Sequence, residues 1–312
     1  MMDQFKNLRI AVVGSGAVGS YYGGKLAALG CDVHFLMRSD LDAVKLNGLT
    51  LRESSSEIRI PEVHACASSE EIGPCDLVLI ALKTTSNGAL ETLIPPLLKP
   101  DTVLVTLQNG LGNEEYLSEL FGKERVMGGL CFVCLNRVAP GVIEHYGHGT
   151  LSIGEFCGEP KTRTHDLVAA FREAGVDART VECLALERWK KLVWNVPFNG
   201  LSIVAGNVTV DVILSDDGLR SLTRNLMEEI IGAAAKLGYV LPSGLVDHQI
   251  ERTLPMGAYK PSSLIDFMQG RAVEVESIWG EAWRRAKAAG APVDRLEMLY
   301  FLLKKLTERT PL

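Results

Sequence analysis

Lys191, Asn195 and Asn199 recur at intervals of four in a run whose other members include Leu192, Val193, Trp194, Val196 and Phe198. On a helix each step of four advances about 6 Å and turns about 40°, so the three line one face. A lysine and two amides on so apolar a helix need partners, which points the stripe at a cleft. A solvated stripe is the alternative reading. A lysine withdrawn from water has its pKa pushed down and becomes a better proton donor near neutrality. The amides suit a ligand with carboxylate or hydroxyl oxygens. Pro197 removes one helical hydrogen bond and predicts a bend.

A second pattern opens the chain. Gly14, Ser15, Gly16, Ala17, Val18 and Gly19 form a GxGxxG directly after an apolar run and at the start of a small-residue helix. Gly14 allows a tight turn, Gly16 lets a pyrophosphate approach the backbone, and Gly19 allows close helix–strand packing. The helix N-terminus adds free N–H groups and a partial positive charge. We expect a dinucleotide-binding start, with a plain strand-to-helix turn as the alternative reading. Sites that prefer NAD place a carboxylate about 20 residues on. Here residues 33–39 read VHFLMRS, and no carboxylate comes before Asp40. Arg38 can pair with a 2′-phosphate and Ser39 can add a hydrogen bond, so NADP(H) is the expected cofactor. Lys83 and Asn109 each follow the carboxyl end of a predicted strand, the edge where open parallel sheets bind ligands. Asn109 also fits a plain turn before Gly110.

The elements that must position these residues are legible from periodicity. Residues 8–13, 32–36, 77–82 and 102–107 read as strands, alternating with helical stretches such as 17–29. That alternation predicts a parallel, Rossmann-type α/β sheet. Ser54, Ser55 and Ser56 fit a hairpin or loop tip. From about Val181 the pattern becomes helical, with segments over 184–205, 219–237, 245–253 and 272–289. We expect an NADP-binding domain over 1–180 and an all-helical substrate-binding domain over 181–312, with chemistry in the cleft between them. Within 262–276, Asp266 and Arg271 could form a structural ion pair and Glu274 could be an exposed helix residue.

The 312 residues carry 32 Lys and Arg against 38 Asp and Glu, a net charge of -6. That balance disfavours nucleic acid and anionic membranes as partners. Residues 77–82, the longest apolar run, are far short of the ~20 needed to span a bilayer. The first residues lack the order of a signal peptide. Seven scattered cysteines argue against a disulfide scaffold and for a reducing compartment, so a cytoplasmic location is expected. Cys131 and Cys134 form a CxxC without a second pair, and His145 and His148 lack partners at motif spacing. No metal site is expected. Trp279 and Trp283 fit either a core or a homodimer interface.

Taken in order, these residues resemble the ketopantoate reductase family from end to end. The likeness runs through the glycine fingerprint, Ala81-Leu82-Lys83-Thr84, residues 107–113 (LQNGLGN) and residues 139–145 (APGVIEH). It continues through the Lys191/Asn195/Asn199 stripe and the segment from Ser262 to Glu276. It implies NADPH-dependent reduction of a 2-keto acid to a 2-hydroxy acid, in the namesake case the step that makes pantoate for pantothenate and coenzyme A. By position, Lys191 matches the proton donor, and Asn195, Asn199 and Ser262 match substrate-binding residues. Asn109 matches a contact to both cofactor and substrate, Glu274 the acid at the nicotinamide end, Lys83 a lysine near the cofactor and Arg38 the 2′-phosphate contact. The family has a further substrate asparagine after the stripe. Here residues 206–213 read GNVTVDVI, and Asn207 is out of register. Reduction of another branched 2-keto acid is therefore one alternative, and a non-catalytic NADP(H)-sensing module is another.

Overall fold

The computed structural model describes Phe5 and residues 7–308, apart from the side chain of His148. Contacts divide it into two compact units. One holds the chain up to Gln108 together with Asn113–Leu184. The other holds Asn109–Gly112 together with the chain from Ala185 onward.

The first unit is built on a ten-stranded sheet. Its strands are β1 (Arg9–Val13), β2 (Asp32–Leu36), β3 (Leu49–Arg52), β4 (Glu57–Ile60), β5 (His64–Cys66), β6 (Cys75–Ile80), β7 (Leu98–Thr106), β8 (Val126–Ala139), β9 (Val142–Glu155) and β10 (Ala178–Thr180). They lie in the order β4-β3-β9-β8-β7-β6-β1-β2-β5, with β10 against β9. From β8 to β5 every neighbouring pair is parallel. The strand order reverses between β1 and β6. That reversal creates a switch point where the connections leave toward opposite edges, opening a crevice at the carboxyl ends.

Period-two alternation explains why both faces are covered. Ile10 and Val12 of β1 enter a core with Tyr22, Phe35 and Phe171, whereas Ala11 and Val13 enter another with Ile72, Leu90 and Leu117. The helices on these faces are α1 (Ala17–Ala28), α2 (Leu41–Asn47), α3 (Ser69–Ile72), α4 (Leu90–Leu93), α5 (Asn113–Phe121) and α6 (Thr162–Glu173). The serine tip joins β3 to β4, paired antiparallel. The long β8–β9 hairpin has register shifts along its length, and sequence periodicity did not mark it.

The second unit is helical: α7 (Leu184–Val204), α8 (Val210–Ser215), α9 (Asp217–Lys236), α10 (Leu245–Thr253), α11 (Ser262–Met268), α12 (Glu281–Ala288) and α13 (Asp294–Thr307). One core joins Trp189, Phe198, Met227, Ile230, Trp279, Leu296 and Leu303. Trp279 is fully buried and donates its indole N–H to the Val196 carbonyl at 3.0 Å, so it is a core residue. Trp283 packs against the same core, stacked on Tyr300.

The expected helix over 272–289 is corrected at its start. Residues 271–274 are irregular, a π turn occupies Glu276–Gly280, and α12 follows. The reason is local. Gly270 has a φ of 64°, and Arg271 folds back on Asp266 through its backbone N–H at 2.8 Å and its Nε at 2.9 Å. The chain is turned before the helix begins, so Glu274 precedes the helix instead of lying on it.

Candidate functional site

In the first unit the glycine fingerprint sits at the switch point. Gly14 has a φ of 101°, and a Cβ there would lie 2.3 Å from the Leu82 nitrogen just past β6. A side chain is excluded on both counts. A Cβ on Gly19 would lie 2.2 Å from the Gly14 carbonyl oxygen, so the helix meets the turn backbone to backbone. Gly16 is different: it is exposed, and a Cβ would meet nothing within 4 Å. No side chain caps α1, and no acidic residue lies in its first turn. Ser15 Oγ donates to the Leu36 carbonyl at 2.9 Å, tying the turn to β2. An open, uncapped and uncountered helix N-terminus is a cradle that suits a pyrophosphate. The residues present fit a dinucleotide.

Past the end of β2, Arg38 is exposed and has no hydrogen-bond or ion-pair partner among the described residues. Asp40 is buried, and its carboxylate accepts from Arg137 Nη1, from Ser39 Oγ at 2.8 Å and from the Gly141 N–H at 3.1 Å. Two consequences follow. The nearest carboxylate is committed to the β8–β9 hairpin tip and is not presented to a ribose. Ser39, from which a further hydrogen bond was expected, gives its proton to Asp40, while Arg137 donates to the Ser39 hydroxyl oxygen at 3.0 Å.

Lys83 is half-buried where β6 ends and a tight 3-10 segment begins. Gln108, which sequence reasoning did not single out, shapes this stretch. Its Nε2 donates to the Leu82 carbonyl at 2.8 Å and to Asn87 Oδ1 at 2.7 Å, and Asn87 donates to Asn113 at 3.2 Å. Thr106 holds the other end of the Gln108 amide at 2.9 Å. This buried amide network fixes the path of the backbone beside Lys83. Amides within or beside two strand ends were a signal in the sequence, but their pairing depended on the topology.

The second unit gathers a separate set. Lys191 Nζ donates to Asn109 Oδ1 at 2.6 Å. Asn109 is held there by the residues that follow it. Gly110 has a φ of 84°, and a Cβ would lie 2.2 Å from the Ser277 carbonyl oxygen. That same oxygen accepts from the Leu111 N–H at 2.9 Å. Ser277 Oγ donates to the Glu274 carbonyl at 3.3 Å, which ties the half-buried Glu274 to the same π turn. Lys191, Asn109 and Glu274 are thus joined through Ser277, a residue the sequence reading passed over.

One turn after Lys191, Asn195 is only 6% exposed, and its amide has no partner among the described residues. A polar group in that condition wants a ligand. Asn199 is buried one turn farther, and its Oδ1 accepts from the Ser263 N–H at 3.0 Å. Its carbonyl end caps α11. Ser262 itself is exposed at the first position of α11. Asp266 and Arg271 form the ion pair described above. Asn207 has a φ of 64° and is exposed in the turn after α7, so it serves the turn. Cys131 is buried and Cys134 half-buried on β8, and no disulfide joins any of the seven cysteines among the described residues. His145 lies 3.5 Å from the Tyr21 hydroxyl. The side chain of His148 lies outside the described residues. Among the described residues no helix is long and apolar enough to cross a membrane.

The chain matches two family models. Residues 10–158 match "Ketopantoate reductase PanE/ApbA", and residues 184–307 match its C-terminal counterpart. A 2-dehydropantoate 2-reductase of Nostoc sp. is 37% identical over 306 residues, covering 96% of each chain. A solved 2-dehydropantoate 2-reductase from Geobacter metallireducens GS-15 is 45% identical, with a TM-score of 0.93 over 96% of this chain and 99% of that one. Another, from Methylococcus capsulatus, is 34% identical, with a TM-score of 0.90 over 97% of this chain and 99% of that one.

Proposed function

The chain belongs to the ketopantoate reductase PanE/ApbA family, and from that premise we propose that it reduces 2-dehydropantoate to pantoate with NADPH. It is an oxidoreductase of the 2-dehydropantoate 2-reductase type, in a family that uses a nicotinamide cofactor. The observation that carries the reading is the Lys191 ammonium, held 2.6 Å from the Asn109 amide by a loop clamped on Ser277.

When bound, the reduced nicotinamide supplies the hydride. The residues of the chain do the rest. Lys191 donates a proton to the alkoxide oxygen formed from the keto group, with Asn109 fixing the direction of its Nζ. The unpartnered amide of Asn195 orients the substrate one turn away, and Asn199 and Ser262 complete the substrate set. Much of the rate comes from positioning and from charge stabilisation at that oxygen. Gly14 to Gly19 would receive the pyrophosphate, Lys83, Asn109 and Glu274 would contact the cofactor, and Arg38 would pair with its 2′-phosphate. Commitment of Asp40 to the hairpin tip supports the preference for NADPH, because no carboxylate is offered to a 2′-hydroxyl there. On this reading the first unit receives the pyrophosphate and the 2′-phosphate, and the second supplies the substrate residues together with the cofactor contacts Asn109 and Glu274.

A second substrate is favoured by one observation. Asn207 is taken up by the turn after α7, so one asparagine expected of a ketopantoate site has no counterpart in register. Another branched 2-keto acid would then be reduced by the same residues. NADPH oxidation with 2-dehydropantoate and with other 2-keto acids, using wild type and Lys191→Ala, tests both readings. Turnover unchanged in Lys191→Ala overturns the mechanism. Turnover on another acid with none on 2-dehydropantoate overturns the substrate.

A further inference from the structure

At the edge of the sheet, two strands bring three donor side chains together. The parallel register pairs His34 of β2 with His64 of β5. Asp32, two residues before His34, points to the same face. His34 Nε2 lies 2.8 Å and His64 Nε2 3.8 Å from the same carboxylate oxygen, Asp32 Oδ1. All three donor atoms lie within 4.8 Å of one another. The two imidazoles stack with centroids 4.6 Å apart.

We propose that Asp32, His34 and His64 bind a divalent first-row transition-metal ion, with water completing its coordination. Two imidazoles and one carboxylate are a donor set suited to Cu(II), Ni(II) and Zn(II). Donors about 2.1 Å from a tetrahedral ion stand about 3.4 Å apart, between the two separations observed. The rings are nearly parallel, at 17°, so one must tilt to aim its lone pair at the ion. The His64 side chain, 67% exposed, has the room, while His34, at 8%, is fixed.

The surroundings supply an outer layer. Arg9 Nη1 lies 3.5 Å from Asp32 Oδ2, which leaves Oδ1 for the histidines. Arg9 is itself anchored, donating through Nε and Nη2 to the Ile72 carbonyl at 3.2 and 2.8 Å. Such outer contacts orient a ligating carboxylate. The guanidinium charge also opposes a cation, so binding rests on the imidazoles and should follow their preference, with Cu(II) tightest. Asp32 opens β2, whereas Arg38 lies past its end, about 20 Å along an extended chain. The site is therefore distinct from the cofactor cradle. An ion here would clip the three-residue edge strand β5 to β2.

The test uses the full-length, tag-free chain stripped with a chelator. Calorimetric titration with Ni(II) should give one equivalent bound and a higher melting temperature. Co(II) should give a spectrum without a thiolate charge-transfer band, which separates this site from the exposed Cys157 and Cys183. His64→Ala alters an exposed residue and should weaken binding tenfold or more, and His34→Gln should do the same. The proposal is overturned if the wild type takes up no equivalent, if His64→Ala binds as tightly, or if the cobalt spectrum shows thiolate ligation.

Discussion

Lys191 Nζ and Asn109 Oδ1 meet at 2.6 Å although 82 positions separate them in the chain. The contact constrains an ammonium that would otherwise sweep through several rotamers, so on the proposed mechanism proton transfer and proton positioning are divided between two residues. Lys191→Ala should lower kcat by about 10²–10⁴-fold, the usual range for loss of a general acid. Asn109→Ala should keep the lysine but lose its aim, giving a smaller fall. Steady-state kinetics with NADPH and keto acid check both. Equal effects from the two variants would contradict the division.

The stripe on α7 separates into different duties. Asn199 spends its Oδ1 on the Ser263 N–H, so Asn199→Ala should cost stability, about 1 kcal/mol for a lost helix cap. Asn195 has no such debt, so Asn195→Ala should melt like wild type and raise KM for the keto acid. Denaturant unfolding beside initial-rate kinetics distinguishes them.

The fingerprint glycines also divide. Gly14→Ala puts a Cβ at a φ of 101° and 2.3 Å from the Leu82 nitrogen, so it should destabilise the fold. Gly16 has a φ of -77° and open space around it. Gly16→Ala should therefore fold normally and bind dinucleotide more weakly, because the methyl occupies the cradle. Thermal melts with fluorescence titration of NADPH read the two effects apart.

These contrasts show which parts of the protein the sequence carried. The parallel sheet was legible because β1, β6, the middle of β2 and the second half of β7 are short apolar runs separated by helical spacing. The stripe was legible because a period of four needs no knowledge of anything distant. The β8–β9 hairpin was not. Gly128 and Gly129 interrupt β8, and register shifts break its alternation. The segment after Gly270 misled for a related reason. Helical periodicity runs straight through residues 272–274, and the turn at Gly270 with the fold-back of Arg271 on Asp266 delays the helix. Ser277 was passed over, since its hold on the Asn109 loop runs through its backbone oxygen to Leu111. A backbone acceptor leaves no trace in side-chain chemistry.

On the proposed reading, cofactor choice turns on Arg38, exposed past β2 beside a carboxylate committed elsewhere. Arg38→Ala should weaken NADPH about 10–100-fold, the worth of a charge-assisted hydrogen bond. NADH, which lacks the 2′-phosphate, should be nearly unaffected. Dissociation constants for both nucleotides check this, and a parallel loss for NADH would place Arg38 elsewhere.

Stability at low pH should depend on Glu155, whose side chain is 1% exposed. Burial works to raise its pKa, but hydrogen bonds from Arg163 and Thr164 outweigh that and hold it below the ordinary 4.5. A carboxyl depressed in the folded state binds its proton first in the unfolded chain. Its contribution is therefore fully present above about pH 4.5 and is lost as pH falls through the lower, folded value. Glu155→Gln leaves Arg163 without its counter-charge and should cost about 3 kcal/mol near neutrality. The variant should also flatten the acid limb of the stability curve, because one proton fewer is linked to unfolding. Urea midpoints measured from pH 7 down to pH 3 would show both effects. An unchanged acid limb in the variant would assign the acid sensitivity to other carboxylates.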